Sequence, residues 1–182
     1  FLALPLVAAV DACVFGGPNW TRLNTLKASM RSIRFTLPPS RVVFETAEFM
    51  ASYAFFEAKA GRYVLGPPVI PAQENHPARE TWNPTYELGY WRYGLGVAQS
   101  WRERAGLKRR PEWDRVIARL SKLPEREGVY LAHENCPQTY TERNRDHPSM
   151  LAALGVLPGE GVGRETMRRT LEKTMKEWRW EE

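Results

Sequence analysis

The residues best suited to chemistry gather in two irregular stretches. The first, Val69-Ile70-Pro71-Ala72-Gln73-Glu74-Asn75-His76, leads on to Asn83-Pro84-Thr85-Tyr86-Glu87. A carboxylate on a proline-braced loop beside an aromatic helix suits general-acid work, because apolar surroundings raise a carboxyl pKa and let it hold a proton near neutral pH. Glu74 can equally serve the fold alone, by capping the following turn or pairing with Arg79. The second stretch holds His133-Glu134-Asn135-Cys136-Pro137 and Asn144-Arg145-Asp146-His147-Pro148-Ser149. His133, His147 and the acids near them invite a metal reading, but their spacing matches no common zinc pattern and the chain has only 3 histidines. Neither a metal nor any other cofactor is expected. Ser149, His147 and Asp146 make a triad on paper. Near-adjacent residues rarely reach one another in the required geometry, and no nucleophile-elbow glycines surround the serine.

These residues need elements to hold them. Val43, Ala47, Met50 and Ala54 recur at steps of four and three, which predicts a helix over 41–58 with those residues inward, capped by Ser40 after Pro38-Pro39. Five prolines (Pro67, Pro68, Pro71, Pro77 and Pro84) break up residues 63–84, and a loop that long in a compact domain is usually functional. Asn83 is placed to cap a second helix that starts at Pro84 and ends at Gly106. This helix is apolar on two faces, with Tyr86, Tyr90, Tyr93, Val97 and Trp101 on one and Leu88, Trp91, Leu95 and Ala98 on the other. Such a helix belongs to an inner layer. A third helix is predicted from Pro111 to about Leu123, and shorter ones near 149–157 and 164–180. No convincing strand pattern occurs, so the fold class expected is all-α, built of helical hairpins. Residues 1–40 read as a divergent N-terminal helical segment.

Composition narrows the function classes. The net charge is +5, but the basic clusters sit beside acids and read as solvated helix faces, so nucleic acid is not an expected partner. The apolar run Phe1 to Ala12 is too short to span a bilayer, so no membrane span is expected. It fits the end of a secretory signal and equally the remainder of a barrel helix, and Asn19-Trp20-Thr21 is a glycosylation sequon only in an exported chain, so the compartment stays open. Cys13 and Cys136 are free to pair, though nothing requires it. Aromatic residues make 12% of the chain and recur beside polar ones, which suits rings stacking on a flat ligand as well as rings filling a helical core.

Residues 41–159 resemble the catalytic region of the six-hairpin glycosidases, glycoside hydrolase families 95 and 65 in particular. In those families an extended segment delivers the acid glutamate just before a long inner helix. Pro71-Ala72-Gln73-Glu74-Asn75 takes that place here, with Asn83-Pro84-Thr85-Tyr86 opening the helix after it. Further on, Asp146-His147-Pro148-Ser149-Met150-Leu151 and Leu157-Pro158-Gly159 are similar to the histidine-rich run and proline-glycine turn of family 95. The resemblance implies that 41–182 is part of an (α/α)6 barrel. It also implies hydrolysis of oligosaccharides or polysaccharides with inversion, Glu74 protonating the leaving oxygen. A second group, about 6.5–9.5 Å away, then activates water; Glu134 and Asp146 are the local substitutes for it. Asn75, Trp82, Asn83, Tyr86, Glu87, Trp91 and His147 would bind the sugar, with Tyr90 divided between that role and the core. The family pattern requires twelve helices, more than this chain shows. A fragment, or a binding remnant without turnover, is therefore an alternative expectation. Self-association through an exposed barrel surface goes with it.

Overall fold

The computed structural model describes residues 39–181. The expectations for residues 1–38, including the apolar run, the sequon and Cys13, lie outside the described residues. Helix α1 (Pro39–Tyr53) leads into a hairpin of β1 (Phe55–Glu57) and β2 (Arg62–Val64). After a long loop come α2 (Thr85–Arg104) and α3 (Pro111–Arg119). A two-residue hairpin, β3 (Glu125–Arg126) with β4 (Val129–Tyr130), follows. A second long loop ends in a 3-10 turn (Ser149–Leu151), a short α4 (Ala152–Gly155) and α5 (Arg164–Glu177). The protein is helix-rich with few short strands. The two hairpins are too short for an alternating pattern to announce them. The first of them also stops α1 at Tyr53, short of the predicted Ala58.

The predicted inward face of α1 is the observed one, with Val43, Ala47, Met50 and Ala54 all buried. It packs on α2, which lies between α1 on one side and α4 with the 3-10 turn on the other. Of the two apolar faces expected, Leu88, Trp91, Leu95 and Ala98 are all buried, whereas the other buries Tyr90 and leaves Tyr86, Tyr93, Val97 and Trp101 half-buried. Glycines lie at both contacts, and only the one against α1 is closer than an ordinary Cβ contact. A Cβ on Gly94 would come within 2.9 Å of Met50 Cε, and one on Gly89 within 3.5 Å of Ala153 Cβ. Trp91, expected at the sugar site, is instead 4% exposed and donates its indole N–H to Met50 O at 2.8 Å. Gln99, fully buried, holds α3 in place. Its amide donates to Arg110 O (2.8 Å) and its carbonyl accepts from Arg110 N (3.0 Å), occupying both backbone groups of the residue before the helix. Trp113 fills the space behind it at 0% exposure.

Helix α5 docks through threonines. Thr170 Oγ1 accepts from Tyr130 N (2.9 Å) and donates to Thr166 O (2.7 Å), which ties α5 to β4. Beyond α5, the buried Trp178 donates its indole N–H to Asp146 O at 2.8 Å, and Arg179 N bonds Asn144 O at 2.8 Å. Leu171 and Met175 are exposed on α5, as is Trp180 beyond it. Among the described residues no helix is long and apolar enough to cross a membrane.

Candidate functional site

The two polar loops, far apart in sequence, are joined face to face. The first is closed at its neck by Asn83, which takes both backbone groups of Leu65. Leu65 N donates to Asn83 Oδ1 and Asn83 N donates to Leu65 O, each at 2.9 Å. Asn83 holds a left-handed backbone (φ 48°), while Pro84 occupies the N-cap position and no side chain caps α2. The expected helix cap is thus a loop closure. With 0% exposure and its Nδ2 given to Glu134 Oε2 (2.5 Å), Asn83 has no group facing solvent to offer a sugar. Gly66 turns the chain just inside the neck at φ 83°, where a Cβ would meet Thr81 O at 2.7 Å.

Backbone bonds then dock the second loop onto the start of α2: Thr85 N to Ala132 O (3.0 Å) and Glu134 N to Trp82 O (2.8 Å). Side chains complete the seam around Glu74. Gln73 Nε2 donates to Arg143 O (2.6 Å) and Arg145 O (3.0 Å), and Asn75 Nδ2 donates to Arg145 O (3.3 Å). Arg143 returns a bond to Asn75 O at 2.8 Å. Glu74 is thereby gripped on both flanks while its own carboxylate is exposed. It neither caps a turn nor pairs with Arg79, and no hydrogen bond or ion pair joins it to any described residue.

The remaining acids have different surroundings. Glu87, in the first turn of α2, is 3% exposed. Its Oε1 accepts from Ala72 N at 2.6 Å and its Oε2 has no partner among the described residues. Burial pushes its carboxyl up to about 7. Burial thus acts on a glutamate that was expected to bind sugar. Glu134 is bound by Arg62 (2.9 Å) and Asn83. Burial works to raise its pKa, but those two hydrogen bonds together hold it below the usual range. Asp146, exposed at φ 63°, pairs its Oδ1 with the exposed His147. Ser149 Oγ is buried without a partner among the described residues, so the paper triad does not form. Trp82 and Tyr86 remain half-buried beside the seam.

One grouping escaped the sequence reading. His76, His133 and Cys136 come together with a ligand atom of each within 4.8 Å of the others. The two rings meet edge to face, with centroids 4.8 Å apart. Burial, reinforced by its histidine partner and Arg143, pushes His76 down to about 4. Burial and Arg143 do the same to His133. His76 lies in the first loop and the other two in the second, so no spacing along the chain could reveal the trio. The histidine weighed for a metal together with His133 was His147, which is exposed elsewhere on the seam. A separate groove of about 220 Å³, lined by residues including Arg126, Leu131, Tyr140 and Lys173, contains none of the predicted site residues.

In comparison with known proteins, no family model and no curated protein sequence matches this chain.

Proposed function

We propose that this chain carries a glycosidase-type site in part of an (α/α)6 arrangement, with Glu74 as general acid toward an oligosaccharide or polysaccharide. The observation that supports it best is the seam itself. Gln73 and Asn75 both bond the carbonyl of Arg145, so the sequence neighbours Glu74 and Asp146 flank one junction. An exposed, unpaired carboxylate on a braced platform can reach a glycosidic oxygen, and a second carboxylate across the junction can serve the water. Trp82 and Tyr86 supply ring faces, and α2, packed on two sides, suits an inner barrel helix. The resemblance of the Glu74 and Asp146 segments to families 95 and 65 points the same way.

A second reading, sugar binding without turnover, is favoured by one specific observation. Both candidate bases are already engaged, Glu134 by Arg62 and Asn83, and Asp146 by His147. Self-association belongs to either reading, with Leu171, Met175 and Trp180 as the exposed surface; a concentration-independent monomer in sedimentation would refute it.

The test is hydrolysis of aryl glycosides and plant oligosaccharides by the chain and by Glu74→Gln and Asp146→Asn, with binding followed by tryptophan fluorescence. The acid reading expects Glu74→Gln to lose turnover by about a hundredfold or more while binding survives. Sugar-dependent quenching without turnover in any of the three proteins would select the binding reading. No signal from the folded chain would end both.

A further inference from the structure

We propose that His76, His133 and Cys136 form a metal site, two imidazoles and one thiolate, for a borderline-soft ion of the zinc class that clamps the first loop to the second. The inference goes beyond the sugar reading and does not depend on it. Three features carry it. The donors are convergent: one atom from each residue lies within 4.8 Å of the others. Four-coordinate zinc places nitrogen and sulfur ligands about 3.3–3.8 Å apart, given bond lengths of about 2.0–2.3 Å, so the three need to close by only about 1 Å. The donors are also buried, with His76 at 5%, His133 at 4% and Cys136 at 2% exposure.

The third feature is that three of the four imidazole nitrogens here have no other occupation, while the Thr139 hydroxyl and the backbone of Gln138 stand beside the Cys136 sulfur. Both ring nitrogens of His76 and Nδ1 of His133 are buried without a hydrogen-bond partner among the described residues, and Cys136 is a free thiol. Buried polar atoms nearly always find partners, and an unused imidazole pair facing a thiol has a metal ion as its natural one. Neutral imidazoles present the lone pairs that coordination requires, and burial keeps both rings neutral. Binding displaces the Cys136 thiol proton to solvent. Arg143 stands close enough to act on all three residues. Its charge favours the thiolate and works against any cation, so binding must rest on the donors. Two imidazoles and a thiolate select an ion that bonds well to nitrogen and sulfur, not magnesium or calcium.

The experiment strips the purified full chain with a chelator under reducing conditions, then titrates it with Co(II) and afterwards Zn(II). Expected are one Co(II) per chain, a thiolate-to-cobalt absorption band, and displacement of that band by Zn(II). Cys136→Ser should lose the band and weaken binding by more than about a hundredfold, since even outer partners of metal ligands are worth 10–100-fold. The exposed His147→Gln should keep both. The chain has 2 cysteines, so Cys13→Ser carries the same decision if Cys136→Ser fails to fold: the band must survive it. A chain that is helical by circular dichroism but shows no such band overturns the proposal. So does a band that follows Cys13.

Discussion

At the scale of single residues, the two glutamates of the first loop and the helix after it have opposite surroundings. Glu74 is accessible and unpaired, and Glu87 is buried. The folded chain holds a proton on Glu87 up to about pH 7, whereas an ordinary glutamate releases it near 4.5. Between those values the folded state binds more protons than the unfolded one, so this group's contribution to stability falls as pH rises. The full cost is on the order of 3 kcal/mol above the window. Glu87→Gln keeps an oxygen for Ala72 N–H and cannot ionise. It is expected to match the parent at about pH 4 and to exceed it in stability at about pH 8, by urea denaturation at both. Equal stability at the higher pH would show that the carboxylate is hydrated. Glu74 could be singled out from sequence because its prolines and neighbours are local. The burial of Glu87 could not, because it depends on Ala72 reaching the first turn of α2 across the loop.

At the scale of elements, side-chain amides do what strands do elsewhere. Asn83 closes a loop by matching both backbone groups of Leu65, one through its side-chain oxygen and one through its own backbone N–H, and Gln99 matches both groups of Arg110 through its side-chain amide alone. Gln99→Ala removes two half-buried bonds to the exposed Arg110, so a loss of about 1–2 kcal/mol is expected in thermal or urea unfolding. An unchanged midpoint would mean that water replaces the amide. Two glycines make a contrasting pair. Ala at Gly66 meets backbone at Thr81 O with φ at 83°, and should cost on the order of 3 kcal/mol. Ala at Gly94 meets only the flexible end of Met50 in a helix that favours Ala, and should fall within about 1 kcal/mol of the parent. The periodicities of α1 and α2 were readable because each face repeats within the helix. Asn83 was misread as a cap because the cap pattern is also local, and its true partner, Leu65, lies at the far end of a loop. The hairpins left no readable mark, having two or three residues per strand.

At the scale of the whole molecule, α5 and the residues after it brace the seam from behind. Thr170 holds β4, and Trp178 and Arg179 hold Asp146 and Asn144. Thr170→Val keeps the shape but strands Tyr130 N, and should cost about 1–3 kcal/mol. Because Trp178 follows directly on that helix, the same substitution should speed amide hydrogen exchange at 144–146 as well as in β4. Faster exchange confined to β4 would show that the two ends of α5 act independently.

The seam also has a place in time. Its side-chain bonds join residues 68 to 72 positions apart, and closing a chain over such a distance costs on the order of 4 kcal/mol before any contact repays it. Helix α2 lies between the two loops, and Thr85 at its start already grips Ala132, so a folded α2 shortens that search. The expected order of assembly is core helices first, then the neck at Asn83, and the seam last. In refolding followed by pulsed hydrogen exchange, the amides of α2 gain protection first, and Glu134 N, on Trp82 O, gains it among the last. Early protection at Glu134 N would instead place the seam in the first structure to form.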